Sequence, residues 1–131
     1  MKHIAYGFCA MLLAALLAGC EPSTNQLRST AVAEYQVGHN KNAEKLFGQI
    51  IEQKPSDAES WYYLGRIAHA EGFLPRAIYC YQCCLDADPG YQPVDSADPG
   101  PRYWLKKAKK DAGDIVGGMD IIPKPIERPV P

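Results

Sequence analysis

The chain has 131 residues, with 14 Lys and Arg set against 15 Asp and Glu, for a formal net charge of −1. That balance excludes the strongly basic profile of a typical nucleic-acid binder, while a hydrophobic share of 47% is ordinary for a folded protein. The length allows one modest domain.

Lys2 and His3 form a short polar start, followed by an apolar run from Ile4 to Ala18. A run of about 15 residues falls short of the about 20 that a spanning helix needs. With its positive flank it suits a secretory signal instead. Leu17-Ala18-Gly19-Cys20 resembles a bacterial lipobox. That resemblance implies that residues 1–19 are a lipoprotein signal peptide, cleaved before Cys20. The Cys20 thiol then takes a diacylglycerol and the new amino terminus an acyl chain, leaving residues 20–23 as a lipidated tether. Each buried CH₂ contributes about 0.8 kcal/mol, so several chains hold a domain firmly at a bilayer. Glu21, rather than Asp, after the cysteine resembles an outer-membrane address, so the expected location is the periplasmic face of the outer membrane.

Beyond the tether, the sequence repeats itself at one fixed offset. That offset relates Leu27 to Trp61, Ala31 to Gly65, Gly38 to Gly72, Ala43 to Ala77, Phe47 to Tyr81, Ile50 to Cys84, Ile51 to Leu85 and Pro55 to Pro89. Each copy reads as two helices: Ser23–Val37 with Asn42–Lys54, then Asp57–Glu71 with Leu74–Ala87. Gly38 and Gly72 fall where a first helix must stop, because glycine accepts the left-handed turn. Pro55 and Pro89 end the second helices, since proline cannot continue the hydrogen-bond ladder. Ser56 or Asp57 can cap the next helix, and Pro75 sits near a helix start, where its missing N–H costs little. Ala31, Ala43, Gly65 and Ala77 are small residues for close helix approach, with Leu46, Phe47, Trp61, Leu64 and Tyr81 as the large core residues around them. Ala77, Tyr81 and Cys84 make one helical stripe.

Trp61-x2-Leu64-Gly65, Ala77-x3-Tyr81 and Pro89 together resemble the tetratricopeptide repeat. The match departs at Ala68, where the family often has Tyr. The first copy is weaker, with Leu27 in place of Trp and Thr30 in place of Leu. The resemblance spans roughly Thr24 to Gly90 and implies an all-α fold, a short solenoid with copies at about 24–57 and 58–91.

Ala87-Asp88-Pro89-Gly90 recurs as Ala97-Asp98-Pro99-Gly100, marking a turn-rich insertion over 91–100. A further helix is expected over 101–112, with Trp104 and Ala108 on one side and Lys106, Lys107, Lys109 and Lys110 over most of the rest. It reads either as the cap that a stack of helix pairs requires or as half of a degenerate third copy. The helical domain is then 24–112. Gly117-Gly118 and prolines 123, 125, 129 and 131 predict an extended Pro/Gly-rich tail over 113–131.

Cys80, Cys83 and Cys84 cluster on one helix. The expectation is a buried Cys84 with Cys80 and Cys83 partly exposed; a disulfide or a metal site is the sharper alternative. No second Cys or His pair stands at ligand spacing, and no Gly-x-Ser-x-Gly, phosphate-binding glycine loop or His-Glu-x-x-His occurs. Neither catalysis, a cofactor, a metal nor a small-molecule substrate is therefore expected. The lysine cluster is either a solvated face or a contact with phosphate-bearing lipid.

The tetratricopeptide resemblance implies a groove, lined by the first helix of each pair, that holds a partner peptide. The positions it points to are Arg28, Val32, Tyr35, Tyr62, Tyr63, Arg66 and His69, giving an aromatic, positive groove for acidic or apolar segments. The Lys and Asn pattern by which some members clamp a C-terminal carboxylate is not evident. The expected function is a lipid-anchored adaptor or assembly factor of the bacterial envelope, pilotin-like in one version. The alternatives are a self-associating or cell-wall-associated structural lipoprotein and a thiol or metal protein built on Cys80, Cys83 and Cys84.

Overall fold

The computed structural model describes residues 21–116. The expected signal peptide, Cys20 and the part of the expected tail from 117 onward lie outside the described residues. The described chain is all-helical: α1 (Thr24–Gln36), α2 (Asn40–Gln53), α3 (Ala58–Ala70), α4 (Leu74–Ala87) and α5 (Pro101–Val116). Both ends of α3 and of α4 follow their counterparts in α1 and α2 at the same offset that relates Leu27 to Trp61.

Local chemistry explains the bounds. Ser23 is not in α1 but caps it. Its hydroxyl accepts from Gln26 N–H at 3.3 Å while Gln26 Oε1 accepts from Ser23 N–H at 3.0 Å, a reciprocal capping box. Asp57 likewise caps α3, accepting from Ser60 N–H at 3.1 Å. The two hairpin turns close alike. His39 N–H donates to Glu34 O and Phe73 N–H to Ala68 O, both at 2.9 Å. Gly38 and Gly72 sit between at φ 84° and 80°, a backbone conformation costly for any residue with a Cβ. Helix α2 starts at Asn40, slightly earlier than the expected Asn42. Helix α5 runs to Val116 rather than Ala112, so the start of the segment assigned to the tail is helical.

The helices pack in chain order, each on the next, and α3 also touches α5. The core is a single cluster from Leu27 to Ala108, with Ala31, Ala43, Phe47, Ile50, Ala77, Tyr81 and Cys84 fully buried. Burying a side chain of the Phe47 or Ile50 class contributes about 1.5–3 kcal/mol. Trp61 is buried, and its indole N–H donates to Pro55 O at 2.8 Å, fastening the α2–α3 turn to α3. All three helical cysteines are buried thiols, at 2%, 3% and 0% exposure for Cys80, Cys83 and Cys84. This corrects the expectation of partial exposure for Cys80 and Cys83. Helix α4 packs on both α3 and α5, and the Arg76–Glu44 pair, which joins α4 to α2, lies beside Cys80. Burial pushes the Cys80 and Cys84 thiols up to about 12, away from the reactive thiolate form. Among the described residues no group of three or more Cys, His, Asp or Glu is placed to hold a metal ion.

The tightest point is where α3 meets α4. A Cβ on Gly65 would stand 2.6 Å from Tyr81 Cε1. Tyr81 is fully buried and cannot swing aside. Gly65→Ala should therefore lower unfolding stability by on the order of 1–2 kcal/mol in urea titrations. Gly48→Ala in α2, where a Cβ meets nothing within 4 Å, should instead gain about 0.5–1 kcal/mol.

Candidate interaction face

Tyr62, Arg66 and His69 stand at i, i+4 and i+7 on α3 and therefore share a side. The sequence reading puts that side in the open. In the structure it meets the chain that follows α4. Tyr62 is 1% exposed. Its hydroxyl donates to the Asp98 carboxylate, and its ring lies 5.4 Å from that of Tyr91 and 6.2 Å from that of Tyr81. The insertion thus folds back onto α3, and Tyr62 is a core residue rather than an open contact.

Asp98 gathers donors from three elements. It accepts from Tyr62 of α3, from Gly100 N–H at 3.0 Å and from the Trp104 indole N–H of α5 at 2.9 Å. Burial pushes its carboxyl up, but these hydrogen bonds and the Arg66 charge outweigh that and hold it below the usual range. Burial, then the bond to Asp98, pushes the Tyr62 hydroxyl far up. Gly100 itself stands at φ 87°, the turn that aims the insertion into α5.

The other two residues are also engaged within the chain. The Arg66 guanidinium carbon lies 3.5 Å over the Trp104 ring, a cation–π contact. His69 Nε2 is 2.9 Å from Asp111 Oδ2 and its Nδ1 is 3.3 Å from the Tyr81 hydroxyl. Its ring stands edge-on to Trp104 at 5.7 Å. Hydrogen bonds, that from His69 first, hold Asp111 below the ordinary carboxylate range. Together these contacts fasten α5 to α3.

Arg28, Val32 and Tyr35 make the matching stripe on α1. Arg28 pairs with Asp57 and, at 3.1 Å, with Glu59, which ties α1 to the start of α3. Both arginines expected to make the groove positive are thus held by internal partners. Tyr63 stacks on Phe47 at 4.9 Å and takes Tyr35 edge-on at 5.0 Å.

Val32, Tyr35, Tyr63 and Tyr91 remain half-buried rather than covered, with Glu59 among them and Val94 and Asp95 exposed on the insertion. Burial pushes the Tyr63 hydroxyl up, helped by the Glu59, Asp98 and Asp95 carboxylates around it. Burial likewise raises Glu59, with Arg28 opposing. What stays open is therefore aromatic and acidic. Tyr91, Val94, Asp95 and Asp98 were not among the site residues read from the sequence. The duplicated Ala-Asp-Pro-Gly marked the insertion but not its return path.

Two measurements check this network. Tyr62→Phe removes a buried hydroxyl from a carboxylate and should cost about 1.5–3 kcal/mol of unfolding stability. The Asp98 carboxyl is held below its unfolded value of 3.8, so its contribution is present above that pH and is lost as pH falls through the folded pKa. Urea midpoints should fall as pH drops below about 4, and Asp98→Asn should flatten that slope; an unchanged slope would remove Asp98 from the network. No protein-family model matches the chain, and no curated protein matches it either.

Proposed function

We propose that this chain is a tetratricopeptide-like envelope adaptor, held at the membrane through a lipid on Cys20, that binds a partner segment on the open face of α1, α3 and the insertion. The role is binding rather than catalytic, and it needs no cofactor, metal or nucleic acid. The observation that carries it is the half-buried row of Val32, Tyr35, Tyr63 and Tyr91 beside Glu59 and Asp95. Partly exposed aromatic rings are the usual energetic anchors of interfaces. Support for the repeat reading comes from helix bounds that recur at the period of the sequence and from turns that close through the same hydrogen bond.

The charge preference follows from which groups are already paired. Arg28 and Arg66 are held internally and Glu59 is itself paired with Arg28, so among the described residues the carboxylate beside the rings that is not ion-paired is Asp95. The favoured partner is an extended segment with apolar and cationic side chains, the reverse of the acidic preference read from the sequence. Lys or Arg over a Tyr ring and near a carboxylate gains from both. A pilotin-like role, in which the segment belongs to a secretion channel, is one version.

A photoreactive residue at Asp95 in the full chain should crosslink one discrete partner in cells. Tyr35→Ala should weaken that complex about tenfold, and Asp95→Asn, read as binding of the identified partner, should weaken it for cationic segments in particular. Crosslinks only to further copies of this chain would replace the adaptor with a self-associating structural protein. Mass spectrometry of the protein from cells should find an amino terminus at Cys20 carrying a diacylglycerol and an acyl chain; an unmodified Cys20 would remove the lipid anchor.

A further inference from the structure

Charge is not spread evenly along this chain. Residues 21–100 carry six Lys and Arg against eleven Asp and Glu, a net of −5, whereas residues 101–116 carry five against two, a net of +3. The sixteen residues of α5 therefore form a basic helix, about 24 Å long, on an acidic body.

The structure turns that charge outward. Ala108 is buried and Trp104 half-buried against α3 and α4, while Arg102, Tyr103, Lys106, Lys107, Lys109 and Lys110 are all exposed. Among the described residues, only Lys107 of the four lysines is ion-paired, with Asp111 at 3.3 Å. Tyr103, in the first turn of α5, is 51% exposed on this face. Shallow cavities flank it. One, of about 320 Å³ between α4 and α5, has Leu85 and Leu105 in its wall beside Arg102 and Lys109. The other, of about 330 Å³, is bounded by Tyr103, Lys107 and Lys110. Lys106 borders both.

From this arrangement we infer that the outer face of α5 is a docking surface for an anionic phospholipid membrane, with Lys106, Lys109 and Lys110 meeting headgroup phosphates and Tyr103 entering the interface. The chemistry favours a fluid charged surface over a fixed partner. The cations are lysines, point charges on flexible stems, rather than arginine forks that read a carboxylate or phosphate in one geometry. The cavities are open and have lysine stems and apolar side chains in their walls, which suits headgroups that exchange. Tyrosine, with an apolar ring and a polar tip, belongs at such an interface. The acidic body is repelled by the same surface, so attraction and repulsion together orient the molecule, and they act only within about 8 Å at physiological salt. This inference does not depend on the partner face.

The test reads amine labelling of individual lysines in the full chain by mass spectrometry. Labelling is preferred to sedimentation because the apolar run Ile4–Ala18 would carry the full chain to any vesicle. Lys41 and Lys45 on α2, both exposed, serve as internal controls. On vesicles rich in phosphatidylglycerol, Lys106, Lys109 and Lys110 should label about tenfold more slowly than the controls, given that each lysine near such a surface contributes about a fivefold gain in binding. On phosphatidylcholine alone, or in high salt, the difference should vanish. Lys106→Glu with Lys110→Glu, both at exposed positions, should abolish protection of Lys109. Equal labelling on the two vesicles would overturn the inference. Protection by polyglutamate but not by phosphatidylglycerol would overturn it in favour of an acidic protein segment.

Discussion

Seven of the thirteen residues of α3 are buried, among them Trp61, Tyr62, Leu64, Gly65 and Ile67, and they occupy more than half of its circumference, with Glu59, Tyr63, Arg66 and Ala70 on the remaining side. A helix apolar over so wide an arc can exist only if most of its sides are enclosed. Three contacts enclose it. On one side Tyr63 stacks on Phe47 of α2. On the second, Gly65 lets the Tyr81 ring of α4 lie directly on the α3 backbone. On the third the chain must supply its own cover. It does so with the insertion and α5, joined to α3 through Tyr62, Asp98 and Trp104.

That third contact determines what the protein can offer to others. The stripe that would line an open groove on α3 is consumed by internal bonds: Tyr62 to Asp98, Arg66 to Trp104 and His69 to Asp111. The same insertion brings Tyr91 and Asp95 beside Tyr62, Tyr63 and Glu59 of α3. The remaining open face is thereby shifted toward Val32, Tyr35 and Tyr63, and its charge is reversed.

The second consequence is electrical. By packing Trp104 and Ala108 inward, α5 turns its basic residues away from the acidic body. Cations and carboxylates that would neutralise one another in a shuffled chain instead occupy separate regions, and Lys107 takes its partner, Asp111, from α5 itself. The open aromatic face and the basic helix thus carry opposite charge and suit different neighbours.

Sequence periodicity alone determined most of the secondary structure. A fixed repeat offset, two turn glycines, two terminating prolines and a Ser or Asp cap are local features, and each acts close to where it is written. That is why α1 to α4 were legible to within about two residues. The charge of α5 and its inward Trp104 and Ala108 were equally local. Two things depended on tertiary structure. The exposure of Cys80 and Cys83 was decided by the elements packed around α4, which no pattern within α4 encodes. The fate of Tyr62, Arg66 and His69 was decided by the loop and helix that follow α4, far from them along the chain. Whether a polar or aromatic residue on a helix faces water or its own chain depends on where a later turn sends the backbone, and that is set by packing across the whole core.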